Sequence, residues 1–297
     1  MRDDNTRKPK RLFGFLPNLF APTVKPGRVH VIQLHGAIMP GSGGPTSGPI
    51  LHIDALEDGI AAAFKPAMSK KGALCAVALS INCPGGSPAQ SSLIAARIRQ
   101  LADQHEVPVI AYVQDVAASG GYWLACAADD IMVDASSIIG SIGVISAGFG
   151  FVGSMEKLGI ERRLHTAGAN KSRLDSFSPE KSEDVDWLLS LQATLHQNFK
   201  AFVIERRGSK LGNFDENELM NGEVWLGEKA IALGLADGLG HLQTDLRARF
   251  GEKTKIKTFG LKKKGLLANL PFFNAQELVD SALRSLEVRG LWSRFGL

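Results

Sequence analysis

Three glycine-rich junctions follow apolar runs: Asn82-Cys-Pro-Gly-Gly86, Ala118-Ser-Gly-Gly-Tyr122 and Gly140-Ser-Ile-Gly143. In the second, Ser119 stands where a helix should begin. A serine there lies beside the positive end of the helix dipole, and flanking glycines let a substrate approach the backbone closely. The N–H of Gly120 and an N–H from Gly85 or Gly86 would then point at a developing oxyanion, the charge that acyl transfer must stabilise. The junctions themselves identify no base. Each also has a plainer explanation, since serine before Gly-Gly is a common helix N-cap and Gly85-Gly86 suits a tight strand-to-helix turn. Their joint occurrence, with a lysine downstream, carries the weight.

A sheet must position such junctions. Ala73 to Ile81 is a continuous apolar run between Lys-Lys-Gly and Asn-Cys-Pro-Gly-Gly, which predicts a strand buried on both faces. Val29–Leu34, Val109–Val113 and Ile131–Asp134 read as further strands. Ile53, Leu56, Ile60 and Phe64 predict a helix over 52–65, Leu93, Ile94, Ile98 and Leu101 predict one over 88–105, and Ser119–Ala127 reads as helical. The order β-α-β-α-β implies an α/β fold with a mainly parallel sheet and right-handed crossovers, in which ligands bind where the carboxyl ends of the strands converge. Beyond it the pattern predicts a helix over 150–158, a strand over 160–166 and a long helix over 179–207. A short extended piece then begins at Val224, a helix is capped by Gly234, another starts near His241, and a last one runs from Ala275 to Leu297. Gly36–Pro49 reads as a loop.

Composition excludes several classes. The chain has 297 residues, 44% hydrophobic and 22% charged, too apolar for disorder and too evenly charged for a nucleic-acid arm. Cys75, Cys83 and Cys126 form no C-x-x-C pair, so neither a disulfide framework nor a cysteine-built zinc site is expected. No apolar stretch reaches the roughly 18 residues needed to span a bilayer, and the first 30 residues do not resemble a signal peptide, so a cytoplasmic protein is expected. Charge is uneven, however. Residues 1–30 hold seven basic and two acidic residues, and 253–264 hold six lysines and no acid; with these set aside, the overall +4 becomes about −7 for the remainder. An anionic partner is implied, and the Leu/Phe-rich stretches beside the basic residues suggest peripheral contact with an anionic membrane. The organisation expected is a basic and apolar tail over 1–27, a catalytic domain over 28–250, and a basic segment with a C-terminal helix over 251–297.

The segments Leu79-Ser-Ile-Asn-Cys-Pro-Gly-Gly86, Val116-Ala-Ala-Ser-Gly-Gly-Tyr-Trp-Leu-Ala125, Ala128-Asp129, Gly140-Ser-Ile-Gly-Val144 and Gly227-Glu-Lys-Ala-Ile-Ala-Leu-Gly-Leu-Ala-Asp237 together resemble the signal peptide peptidase A family of Ser/Lys peptidases, in its short, single-unit form. The match runs in order from about residue 28 to 245. The resemblance implies the ClpP/crotonase-like α/β fold, a spiralled, mainly parallel sheet with flanking helices, and a homo-oligomer in which neighbouring subunits complete each site. It implies Ser119 as nucleophile, Lys171 in Gly168-Ala-Asn-Lys-Ser-Arg173 as general base, Ser141 as the serine supporting the lysine amine, and Gly86 with Gly120 as oxyanion donors. A lysine in that role must be neutral, and burial away from acids favours the neutral form. The chain departs from the family at Cys83, where a serine is usual, and at Asn170, where a tyrosine is usual before Lys-Ser.

The expected activity is hydrolysis of extended peptides, such as signal-peptide remnants or unstructured segments, through an acyl-enzyme on Ser119, with no cofactor, metal or nucleic acid. Other readings use the same residues. A Ser/His/Asp triad would need His165 with Asp129 or Asp175, yet no histidine lies in a glycine-rich junction. Cys83 and Cys126 read as buried packing rather than as thiol nucleophiles. A crotonase-type acyl-CoA enzyme would share the fold without needing Ser119 or Lys171, and a non-catalytic membrane scaffold would keep the fold and the basic ends.

Overall fold

The computed structural model describes residues 27–41, 49–65, 73–212, 215–261 and 275–297, without the side chains of 275–281. Residues 1–26 of the tail expected over 1–27, and the Lys/Leu/Phe-rich stretch 262–274, lie outside the described residues.

The chain enters the sheet as β1 (Arg28–His35), makes two short strands, β2 (Ala37–Ile38) and β3 (Ile50–Leu51), and turns into α1 (Ile53–Phe64). β4 (Leu74–Cys83), α2 (Pro88–His105) and β5 (Val109–Ala118) follow. Ser87 caps α2, accepting from Gln90 N, with Pro88 at the first helical position where its missing N–H costs nothing. Next come α3 (Gly120–Ala125), β6 (Asp130–Val133), β7 (Ile138–Gly140), α4 (Val152–Leu158) and the long α5 (Ser182–Arg207). The remainder is α6 (Glu216–Leu219), β8 (Val224–Leu226), α7 (Gly227–Ala232), β9 (Gly238–Leu239), α8 (Leu242–Phe250), β10 (Lys255–Phe259) and α9 (Ala275–Ser293).

The sheet runs β10-β1-β4-β5-β6-β9, all parallel, with β7 also parallel beside the end of β5 and β8 antiparallel to β7. β4 is buried on both faces as its sequence predicts. Val77, Leu79 and Ile81 face the larger core with α1, α2 and α3, whereas Ala76 and Ala78 face a smaller one closed by Leu246 of α8. β10 lies beyond residue 250 yet pairs with β1, so the sheet extends into the C-terminal segment.

Residues 160–166 form no strand; they are exposed throughout, Ile160 N donating back to the Met155 carbonyl at 2.9 Å and Arg162 pairing with Asp175, and no neighbouring strand pairs with them among the described residues. The apolar stripe of α5 is covered only in part. Phe199 and Val203 are buried, while Trp187, Leu189, Leu191 and Leu195, nearer its start, are exposed.

Candidate active site

Ser119 joins β5 to α3 in a backbone conformation that L-residues avoid, φ 53° and ψ −124°. Holding it costs about 1–3 kcal/mol, which the surrounding contacts must offset. Those contacts are specific: the Ser119 N–H donates to the Gly140 carbonyl at 2.8 Å, and its own carbonyl accepts from Tyr122 and Trp123 at 2.9 and 3.0 Å. The side chain makes no capping hydrogen bond. The N-cap explanation for this serine therefore fails, and its half-buried hydroxyl is left without the usual capping task.

Beside it stands the Gly85-Gly86 turn, fixed by β2. Ile38 N donates to the Gly85 carbonyl and the Ile38 carbonyl accepts from Ser87 N, both at 2.8 Å. This bridge uses residues on either side of Gly86 and leaves the Gly86 N–H outside it. A methyl group on Gly120 would lie 3.4 Å from the Gly86 nitrogen, so the two glycines adjoin. Glycine is required at 86: its φ is 137°, and a Cβ would come within 1.9 Å of the Ile38 oxygen. Gly86, Ser119 and Gly120 line one small cavity of about 20 Å³ with Trp123, Gly143, Val144, Leu195 and Phe199. An open cleft of about 470 Å³ shares Pro88, Trp123 and Leu195 with it.

Ser141 is buried, also at positive φ, 52°, and its N–H donates to the Glu223 carbonyl at 2.7 Å. Its loop brings Gly143 and Val144 to the cavity. Lys171 is not brought there. It lies exposed in a turn whose amide donates to Gly168, and it is absent from the residues lining the Ser119 cavity. The buried setting expected for this lysine is not present within the single chain.

The other candidates are engaged elsewhere. His165 is exposed, Asp129 is paired with Arg99 and Arg206, and Asp175 with Arg162. Cys83 and Cys126 are fully buried, and desolvation pushes both thiols up to about 12. A thiol titration of the native protein should accordingly find only Cys75 reactive, with all three reacting after denaturation. Fast modification of Cys83 or Cys126 in the folded state would contradict this packing.

One positioning element was not read from the sequence. Arg207 is fully buried, donates to the Gly234 carbonyl at 2.6 and 3.1 Å, and pairs with Asp237 at 2.6 Å. The adjoining Leu235 carbonyl accepts from the Tyr122 hydroxyl at 2.9 Å, which ties the turn held by Arg207 to the helix that starts at Ser119. The signal was present in the spacing. Phe199, Val203 and Arg207 continue one stripe at intervals of four, and an arginine inside an apolar stripe calls for a buried acid. Trp123 is fixed similarly, stacked on Phe199 and Phe202 at 4.8 and 5.4 Å.

Residues 102–257, more than half of the chain, match the family model described as Peptidase family S49. The chain belongs to peptidase family S49. Its mainly parallel sheet with flanking helices is the ClpP/crotonase-like α/β fold that the motifs implied. Among its relatives, the probable protease SohB of Buchnera aphidicola is 31% identical over 70% of this chain and 60% of its own length. The putative protease MJ0651 of Methanocaldococcus jannaschii is 32% identical over 69% of this chain and 65% of its own. A Brucella abortus protein named Na(+)/H(+) antiporter NhaA is 44% identical over 91% of this chain, which spans 37% of that protein's length. Among the described residues no helix of this S49 chain is long and apolar enough to cross a membrane.

Proposed function

We propose that the protein is a serine endopeptidase acting on extended peptides, among them signal-peptide remnants and unstructured segments. One observation carries the reading: in a chain of family S49, Ser119 holds a strained backbone at a strand–helix junction, its hydroxyl free of capping, next to the Gly86 and Gly120 amides. Ser119 Oγ attacks the scissile carbonyl and its proton passes to Lys171 Nζ. The Gly86 and Gly120 N–H groups hold the oxyanion, and the same proton then leaves with the amine of the departing peptide. Water, deprotonated by the lysine, hydrolyses the acyl-enzyme. Ser141 orients the lysine amine.

The working form in this reading is a homo-oligomer in which the segment carrying Lys171 reaches the Ser119 cavity of a neighbouring subunit. The exposure of Lys171 in the single chain supports this. So do the exposed apolar residues of the segment that precedes it in the chain, where Phe149 and Leu158 are 80% and 72% exposed. No cofactor enters the reaction.

A fluorophosphonate probe followed by peptide mass mapping tests the nucleophile. A single phosphonyl adduct on Ser119 is expected. Peptide hydrolysis with the adduct on another residue would remove Ser119 from the role, and acyl-CoA turnover without any adduct would favour a crotonase-type enzyme.

A further inference from the structure

Basic residues that stand more than 200 positions apart in the sequence meet on one edge of the sheet. β10 is its outermost strand and runs parallel to β1, with Arg28 in register with Lys255 and His30 with Lys257. The Lys255 N–H donates to the Gly27 carbonyl at 3.0 Å, which fixes the end of one basic segment against the start of the other. Lys253, Lys255 and Lys257 are exposed, and none pairs with a carboxylate among the described residues. Elsewhere on the molecule Arg97, Arg99, Lys200, Arg206, Lys210 and Arg249 all do. Burial first, and then the charges of Lys257 and Arg28, lower the pKa of His30 despite its hydrogen bond to the Ala63 carbonyl.

We propose that the β1/β10 edge docks on an anionic lipid bilayer, with the exposed Lys253, Lys255 and Lys257 facing the headgroups. Charge complementarity argues for an anionic surface, since the chain outside residues 1–30 and 253–264 carries about −7 and would be repelled by it. Sequence continuity argues for a lipid one. The chain reaches this edge from Arg7-Lys-Pro-Lys-Arg-Leu-Phe-Gly-Phe-Leu16 and leaves it for Lys262-Lys-Lys-Gly-Leu-Leu267, basic clusters followed at once by Leu and Phe, the pairing that suits a headgroup–acyl boundary. Lysines on an edge strand also discourage strand addition by another chain, a role that needs no membrane.

The two roles separate in one experiment on the full chain. Wild type and the triple variant Lys253→Gln/Lys255→Gln/Lys257→Gln are sedimented with phosphatidylglycerol-containing vesicles and with purely phosphatidylcholine vesicles, at low and high salt. Wild type should bind the anionic vesicles at low salt, lose them at high salt and ignore the neutral ones. The triple variant should bind on the order of 100-fold more weakly, with its melting temperature and Ser119 labelling unchanged. Undiminished binding by the triple variant, binding equal for both lipids, or no wild-type binding overturns the proposal. So does a variant that only self-associates, which would assign the lysines to protecting the edge.

Discussion

Ser119→Ala should reduce peptide turnover by at least about 10³-fold, and Lys171→Ala by about 10²–10⁴-fold, with the double variant little worse than either alone because nucleophile and base act as one unit. The more telling result comes from mixing. Lys171 is exposed in its own chain and outside the Ser119 cavity, so in the proposed assembly one subunit supplies the serine and the next the lysine. Unfolding Ser119→Ala and Lys171→Ala together and refolding them as mixed oligomers should restore a measurable fraction of wild-type turnover. Mixed sites then form in which an intact serine meets an intact lysine. Full loss in each variant with no restoration on mixing would place both residues in one chain's site. Turnover above a tenth of wild type in Lys171→Ala would remove the lysine as base.

Arg207→Ala should destabilise the fold by about 3–5 kcal/mol, the range for removing one partner from a buried ion pair. The loss has several parts, all visible in the structure. The Gly234 carbonyl loses both of its guanidinium donors, the Asp237 carboxylate keeps only Lys210 and the Ile131 amide, and the volume of a fully buried side chain is left empty. Acid titration gives an independent reading of the same contact. Burial alone would raise the Asp237 pKa, but hydrogen bonds from Arg207 and Lys210 outweigh it and hold the carboxyl below its ordinary value. A lowered folded-state pKa adds stability that is present above the unfolded value of about 3.9 and disappears as pH falls through the folded one. Denaturant midpoints measured downward from neutral pH should therefore fall less steeply below about pH 4 in Arg207→Ala than in wild type. Equal slopes, or a loss under about 1 kcal/mol, would show that the buried arginine contributes little.

The strands that build the central sheet were legible because burial on both faces writes itself as an unbroken apolar run, as in Ala73–Ile81. β2, β7, β9 and β10 were not, for a different reason in each region. β2 is two residues at the start of a glycine-rich loop, paired with the equally short β3 and bridged by Ile38 to Gly86; β7 and β9 are pinned by their neighbours in the sheet; β10 alternates lysine with other residues at an edge. At the site, residue types were readable and conformation was not. Ser-Gly-Gly suggests a helix start, but nothing in it shows that the serine itself takes positive φ, since that follows from its hydrogen bond to Gly140. The position of Lys171 was illegible for a third reason: its surroundings in one chain do not resemble the buried site that its proposed chemistry needs.

The backbone of Ser119 also bears on how the protein can change over generations. At φ 53° and ψ −124° the one residue that would sit without strain is glycine, so Ser119→Gly would gain stability, by about 1–3 kcal/mol, while removing the hydroxyl. Thermodynamics and selection for activity thus pull this position in opposite directions. A copy of the gene released from the need to cleave would be expected to drift there first, to a sturdier and silent protein.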